Sequence, residues 1–291
     1  MRKIEINGIK GNNTILIDKY KLIFGFDMNT KFYIRNYLKK YFEKDPKSEY
    51  EIENNIKSNI LINDRSIDLK QYNYIEVYDI FDLKDDMKMG TKSLLLKYYD
   101  LYLEKIEYND SFITANEVLK SLEDEIGLDI EFDDINVKSQ FVDLTKKALI
   151  KMIESNVYKN DFEISPYVLS YEEIIIIQLE LIKKIAKLDN MKEYIILLDM
   201  PILSKKIFDH VVHNIENLNI LVFVCFLEDE IDLKLNSVAV IETEIIDLQD
   251  EEALYDISIN ANENITISDL KEKIIKKHVL SLKEVVGNKN N

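Results

Sequence analysis

Two uninterrupted apolar runs constrain the fold of this chain more than any other feature. Residues 194–198 and 220–226 contain no charged or amide side chain. A strand with one wet face alternates apolar and polar residues. A run that is apolar on both faces is buried on both, as parallel strands covered by helices are. Residues 203–217 read as a helix between the two runs, and 238–241 supply a further short strand. Strand–helix–strand order predicts an α/β layer built on a parallel sheet. The beginning of the chain offers more strands, with 1–6 alternating and 14–18 and 20–25 short and apolar. Residues 29–44 follow as a helix, with Ile34, Tyr37, Leu38, Tyr41 and Phe42 at helical spacing. Residues 59–63 and 65–69 flank an Asn63-Asp64 turn as a hairpin, and 74–80 read as another strand.

Between these two α/β stretches the pattern changes. Residues 91–107 read as a long helix rich in Leu and Tyr. Thr114 and Glu117 form a capping box opening a second helix that Gly127 can close, and 137–155 read as a third. Ser170 and Glu173 form another capping box, ahead of an apolar helix reaching about 188. The expected organisation is an α/β head made of 1–90 and 165–258, a helical leg at 91–164 inserted into it, and a C-terminal helical extension at 259–291, with its helix at 268–282.

Composition narrows the class. No apolar stretch approaches the ~20 residues that cross a bilayer, and the N-terminus has no signal-peptide core. The single Cys225 excludes an internal disulfide framework. A cytoplasmic protein with no membrane partner is expected. The net charge of −16 argues against a polyanion partner if taken alone, but the charge is segregated. Residues 31–47 carry six basic and two acidic side chains, 271–291 carry six Lys and two Glu, and 123–134 carry seven acids and no base. Lys31, Arg35 and Lys39, four apart on one predicted helix, form a basic stripe.

A degenerate nucleotide site is legible in the same region. Strand 20–24 runs into Gly25, and Lys31 follows six residues later before a helix, as in the phosphate-binding loop G-x-x-x-x-G-K-[ST]. Thr30 replaces the second glycine, and Phe32 replaces the hydroxyl that would ligate magnesium. Leu169-Ser170 precedes a helix leading to Leu197-Leu198-Asp199-Met200-Pro201, the order of L-S-G-G-Q and L-L-D-E-P in ABC-type ATPases. Tyr171 and Glu172 stand in place of glycines, and Met200 stands where a glutamate would activate water. The strand after it ends in Cys225-Phe226-Leu227-Glu228, with no histidine; His210 and His213 fall elsewhere. Phosphoryl transfer depends on positioned charges and Mg²⁺. The expectation is a P-loop NTPase-like head of ABC/SMC type, with Gly25, Lys31 and Asp199 as vestiges and no enzymatic activity.

The acidic residues Glu123, Asp124, Glu125, Asp129, Glu131, Asp133 and Asp134 surround a helix end and the loop after it. Ca²⁺ takes six to eight oxygens from such flexible carboxylates; the alternative is a solvated face.

Three stretches carry a family resemblance: Tyr78-Asp79-Ile80-Phe81-Asp82-Leu83 leading into Thr91-Lys92-Ser93-Leu94-Leu95, then 122–134, then 193–201 with 219–228. In order and character the chain resembles the accessory spacer-acquisition protein of type II-A CRISPR systems over roughly residues 1–250, in a longer variant. The resemblance implies a homotetrameric ring that binds double-stranded DNA ends without sequence preference. It also implies Ca²⁺ at the head–leg hinge, with 123–134 matching the calcium-binding segment by position, and partnership with the CRISPR adaptation integrase and the RNA-guided nuclease. The candidate DNA contacts are Lys31, Arg35, Lys39, Lys84, Lys88 and Lys92. Two other functions stay open: a divergent ABC-like ATPase completed by dimerisation, and a purely structural assembly protein.

Overall fold

The computed structural model describes residues 1–8, 11–53, 59–78, 80–127, 130–132, 135–213, 216–228, 231–242, 244–260 and 265–281. The chain divides into two compact units, Met1–Phe81 with Ser170–Asn291, and Asp82–Leu169. It is a mixed α/β protein with several sheets.

The first stretch contains β1 (Arg2–Gly8), β2 (Gly11–Ile17), β3 (Tyr20–Phe24), α1 (Met28–Glu43), α2 (Glu49–Glu53), β4 (Asn59–Ile62), β5 (Arg65–Ser66) and β6 (Tyr72–Val77). An antiparallel sheet runs β2-β1-β4-β5. Alternation puts Ile4, Ile6, Ile15, Ile17, Ile60 and Ile62 on one buried face, where they pack with Ile34 and Leu38 of α1. Asn63 and Asp64 both have positive φ, 51° and 62°, as a two-residue type I′ hairpin requires.

The inserted unit contains α3 (Leu83–Met87), α4 (Leu94–Tyr102), α5 (Asn109–Ile126), β7 (Ile130–Phe132), β8 (Ile135–Val137), α6 (Lys146–Ile150), β9 (Val157–Lys159) and β10 (Phe162–Ile164). Its boundaries fall at 81/82 and 169/170 rather than at 90/91 and 164/165. Asp86 explains the first: its carboxylate accepts from the Leu94 and Leu95 amides, and its carbonyl accepts from the Ser93 hydroxyl, tying α3 to α4. Two expected helices change. Thr114 and Glu117 lie inside α5 rather than at its start, although Gly127 does close it, with φ of 63°. Of 137–155 only Lys146–Ile150 is helical, because β8 takes Val137, the Asn116 side chain takes the Leu144 amide, and Thr145 caps the short helix. The unit therefore mixes helices with two antiparallel hairpins and is not a wholly helical leg.

The last stretch contains α7 (Tyr171–Leu188), β11 (Glu193–Asp199), β12 (Ile202–Leu203), α8 (Lys205–Val212), β13 (Leu218–Val224), β14 (Phe226–Leu227), β15 (Val238–Ile241), β16 (Ile245–Asp247), α9 (Glu251–Asn260), α10 (Ile267–His278) and β17 (Leu280–Ser281). Both halves of the chain meet in a central sheet ordered β16-β15-β3-β13-β11-β6, parallel except for the edge strand β16. The two apolar runs are its buried strands β11 and β13. A buried ion pair pins β3 to the edge: Lys21 donates to Asp247 at 2.8 Å and to the Asn236 carbonyl at 2.7 Å. Burial pushes the Lys21 ammonium down and the Asp247 carboxyl up, each opposed by the attraction of the other. The C-terminal residues to 281 belong to this unit: β17 pairs with β14 in a parallel ribbon β12-β14-β17. Among the described residues no helix is long and apolar enough to cross a membrane.

Candidate functional site

Three adjacent strands, β3, β13 and β11, end side by side at Phe24, Val224 and Asp199. In open parallel sheets, ligands bind beyond such carboxyl ends. A cavity of about 480 Å³ lies there, lined among others by Met28, Lys31, Arg35, Glu76, Asp199 and Cys225.

The loop leading into α1 is closed by its own side chain. Asp27 is the N-cap: one carboxylate oxygen accepts from the Asn29 and Thr30 amides at 3.0 and 3.3 Å, and the other accepts from the Thr30 hydroxyl at 2.7 Å. These are helix N-terminal donors of the kind that cradle a phosphate in a working P-loop. Here a fixed carboxylate holds them and would repel a phosphate. Thr30 is buried beneath it, and Phe32 points outward, 60% exposed.

Gly25 and Lys31 are kept by packing. Gly25 has φ of +144°, and a Cβ there would come within 2.7 Å of the Ile241 carbonyl oxygen. Lys31 is only 3% exposed, so it is not part of a surface stripe. Successive steps of four residues drift by about 40° around a helix, which turns Lys31 inward while Lys39 stays exposed. The Lys31 ammonium makes two long contacts, 3.4 Å to the Val224 carbonyl and 3.5 Å to Cys225 Sγ, and no carboxylate lies within 4.0 Å of it among the described residues. Met200 is buried, and Asp199 is partly exposed with Arg35 at 4.0 Å.

Arg35 is also committed. Its Nε and one terminal nitrogen donate to Glu76 at 3.2 and 3.0 Å, and its guanidinium lies 5.5 Å from the Tyr78 ring centre. Tyr74 donates to the other Glu76 oxygen at 2.8 Å. Burial works to raise the Glu76 carboxyl, but hydrogen bonds from Tyr78, Arg35 and Tyr74 outweigh it and hold it below the ordinary carboxylate value. Neither Asp27 nor Glu76 stood out in the sequence. The spacing of Asp27 and Thr30 ahead of an apolar helix was a legible cap signal, whereas the Glu76 cluster depends on the meeting of β6 and α1.

The other motif positions have structural duties. Ser170 and Glu173 form a complete capping box on α7. His210 Nδ1 contacts Glu180 at 2.8 Å, and His213 Nδ1 contacts the Asp209 carbonyl at 2.7 Å. In the inserted unit Lys84 lies 5.5 Å from the Tyr167 ring centre, Lys88 pairs with Asp85, and Lys92 is exposed.

The acidic cluster is described only in part. Asp129, Asp133 and Asp134 lie outside the described residues, and only the backbone strand of Glu131 is defined. Glu123, Asp124 and Glu125 end α5 with no base in the last turn; Asp124 and Glu125 are exposed, and the half-buried Glu123 accepts from the Phe141 amide. Consecutive helical positions point about 100° apart, so these three alone do not converge on one ion. Among the described residues no group of three candidate ligands could hold a metal.

No family model and no curated protein matches this chain. Among solved structures it is similar to the crystal structure of Stu0660 of Streptococcus thermophilus, with a TM-score of 0.64 and 17% identity over 87% of this chain and 78% of that one. At that identity the likeness is one of fold. A share of 87% exceeds what the first unit alone supplies, so part of the inserted unit is matched too.

Proposed function

We propose that this chain is a non-enzymatic DNA-binding protein whose head descends from an ABC-type P-loop ATPase. It binds the ends of double-stranded DNA without sequence preference, as a homotetrameric ring, during CRISPR spacer acquisition. The single observation that carries the non-enzymatic part is the Asp27 carboxylate seated on the amides where a phosphate would sit. Phe32 and the buried Met200, in place of a magnesium ligand and a catalytic glutamate, support the same reading. The sequence resemblance supports the DNA part, and the fold likeness to Stu0660 supports the architecture it is placed on. With Lys31 buried and Arg35 held by Glu76, the contacts assigned to DNA are Lys39, Lys84, Lys88 and Lys92. At physiological salt the Debye length is ~8 Å, so local lysines repeated by symmetry act at contact despite the charge of −16. The CRISPR integrase and RNA-guided nuclease are the protein partners in this reading.

Mobility shifts test it. Linear duplex binds, covalently closed circles do not, and log K falls with log salt by ~0.9 per phosphate neutralised. Replacing Lys39, Lys84, Lys88 and Lys92 by Ala flattens that slope equally on all sequences. Equal affinity for linear and circular duplexes of one sequence rules out threading from ends.

Calcium belongs to the same proposal, held by the acidic segment 123–134. Three carboxylates at the negative end of the α5 dipole favour a cation. A ligand that binds only the folded state adds about 2.7 kcal/mol at a hundredfold excess over Kd. Calcium therefore raises Tm and chelator reverses it; a Tm indifferent to both removes calcium from the reading.

A further inference from the structure

We infer that the rim of the strand-end cavity is an interface with a second copy of this chain, apposed through the same patch about a two-fold axis. It rests on the assembled state in the proposed function and not on DNA binding. Five large apolar side chains stand out around the cavity, Phe26, Met28, Phe32, Ile80 and Ile202, with exposures from 40% to 85%. They form one surface. Met28 and Phe32 are one turn apart on the same face of α1, and Met28 and Ile80 line the same cavity. Phe26 packs on Phe226 at 5.6 Å between ring centres, and Phe226 is the register partner of Ile202. At ~200 Å² for a large side chain, the patch exposes roughly 600 Å². That is at the upper end of what a monomer carries and is most of the ~800 Å² that each partner gives to a stable complex.

The chemistry selects the occupant. DNA would need exposed cations here, but Lys31 is buried and the Arg35 charge is met by Glu76 and Asp199. Two copies, each at −16, repel at long range, so they can meet only where charge is already compensated, as it is on this face. A two-fold interface must also be self-complementary. This surface carries both parts, protruding Phe32 and Ile80 and a cavity of about 480 Å³ beside them that can seat such a side chain from the other copy.

The test compares the mass of wild type with that of the Phe32→Asp, Ile80→Asp double variant by light scattering and sedimentation. Both positions are exposed, so circular dichroism should match wild type and unfolding should stay cooperative, with Tm lowered only by the lost association, while the mass of the assembly falls by half. The chain has no tryptophan, so Ile80→Trp supplies a single reporter. Its emission should be shifted to the blue in the assembly and return to the red on dilution. A wild type that is monomeric at every concentration, or monomeric while floating with neutral-lipid vesicles, overturns the proposal. So does a folded double variant of unchanged mass, or an indole emission from the Ile80→Trp variant that stays solvent-like in the assembly. The DNA reading fails separately: if the mass halves as expected and wild type binds no duplex, the interface stands alone. If duplex binds while the double variant keeps its mass, the interface is lost and the DNA reading stands.

Discussion

Replacing Lys31 by methionine measures directly whether the buried lysine serves a ligand. The Lys31 residue is 3% exposed, and the ammonium contacts of 3.4 and 3.5 Å lie at the long limit of hydrogen bonding. Together they contribute less than the ~1 kcal/mol of one good hydrogen bond. The Phe223 ring, 6.0 Å away, adds about 0.5 kcal/mol. Against this stands a desolvation cost of several kcal/mol for an ion removed from water. Methionine keeps the packing of the stem and removes that cost, so Lys31→Met should stabilise the protein by about 1–3 kcal/mol. At about 2–4 °C per kcal/mol for a unit of this size, Tm rises by several degrees in a thermal melt. Wild type should show no change in Tm with Mg²⁺-ATP, because Asp27 holds the loop amides. A lower Tm for Lys31→Met, or an ATP-dependent rise in wild type that the variant loses, would refute the reasoning by showing a counter-charge in use at this position.

Other substitutions test the surrounding architecture. Asp27→Ala should cost about 1 kcal/mol through loss of the helix cap without creating phosphate release above a blank; turnover of ATP by this variant or by wild type would contradict the non-enzymatic reading. Glu76 titrates below the ordinary value, so its stabilisation is full above about pH 4.5 and is lost as pH falls through its folded value. Wild type should therefore lose Tm on acidification more steeply than Glu76→Gln, and parallel pH profiles would show that Glu76 is not coupled to folding. Lys21→Met leaves Asp247 buried without its ammonium and should cost about 3–5 kcal/mol, read as a lower urea midpoint. Adding Asp247→Asn should recover part of it, since the amide removes the stranded charge and its one oxygen can still accept from either Leu16 or Gln249; no recovery would mean that the charge on Asp247 is not what the single variant strands.

The central sheet was legible because its strands are apolar on both faces. The strand at 238–241 matches β15 residue for residue, and the Ser170–Glu173 box caps α7 as its spacing requires. The inserted unit was less legible for a physical reason. Within 137–155 the Leu144 and Phe141 amides are taken by Asn116 and Glu123, partners distant in sequence that local periodicity does not contain. The site was legible as a set of absences at Thr30, Phe32 and Met200. What fills them was not: the turn of Lys31 toward the ends of the strands is a drift of tens of degrees along α1, and the hold of Glu76 on Arg35 needs β6 beside it. The same drift separates Lys31 from Lys39, which the fourfold spacing had joined.

Gly25 carries a consequence for how such a chain changes over time. The wall that excludes a side chain there is the Ile241 backbone, which no substitution at 241 can remove. Lys31 faces no such wall and carries a charge the interior would be better without. The two residues that make the loop look like a nucleotide motif thus answer to unrelated pressures. In a saturation scan scored on folding alone, Gly25 should tolerate almost nothing, and Lys31 should accept methionine or leucine with a gain. Under the proposed P-loop descent, glycine is a fossil that packing preserves and the lysine one that drift is free to erase, so motif matches among descendants should decay from the lysine end first.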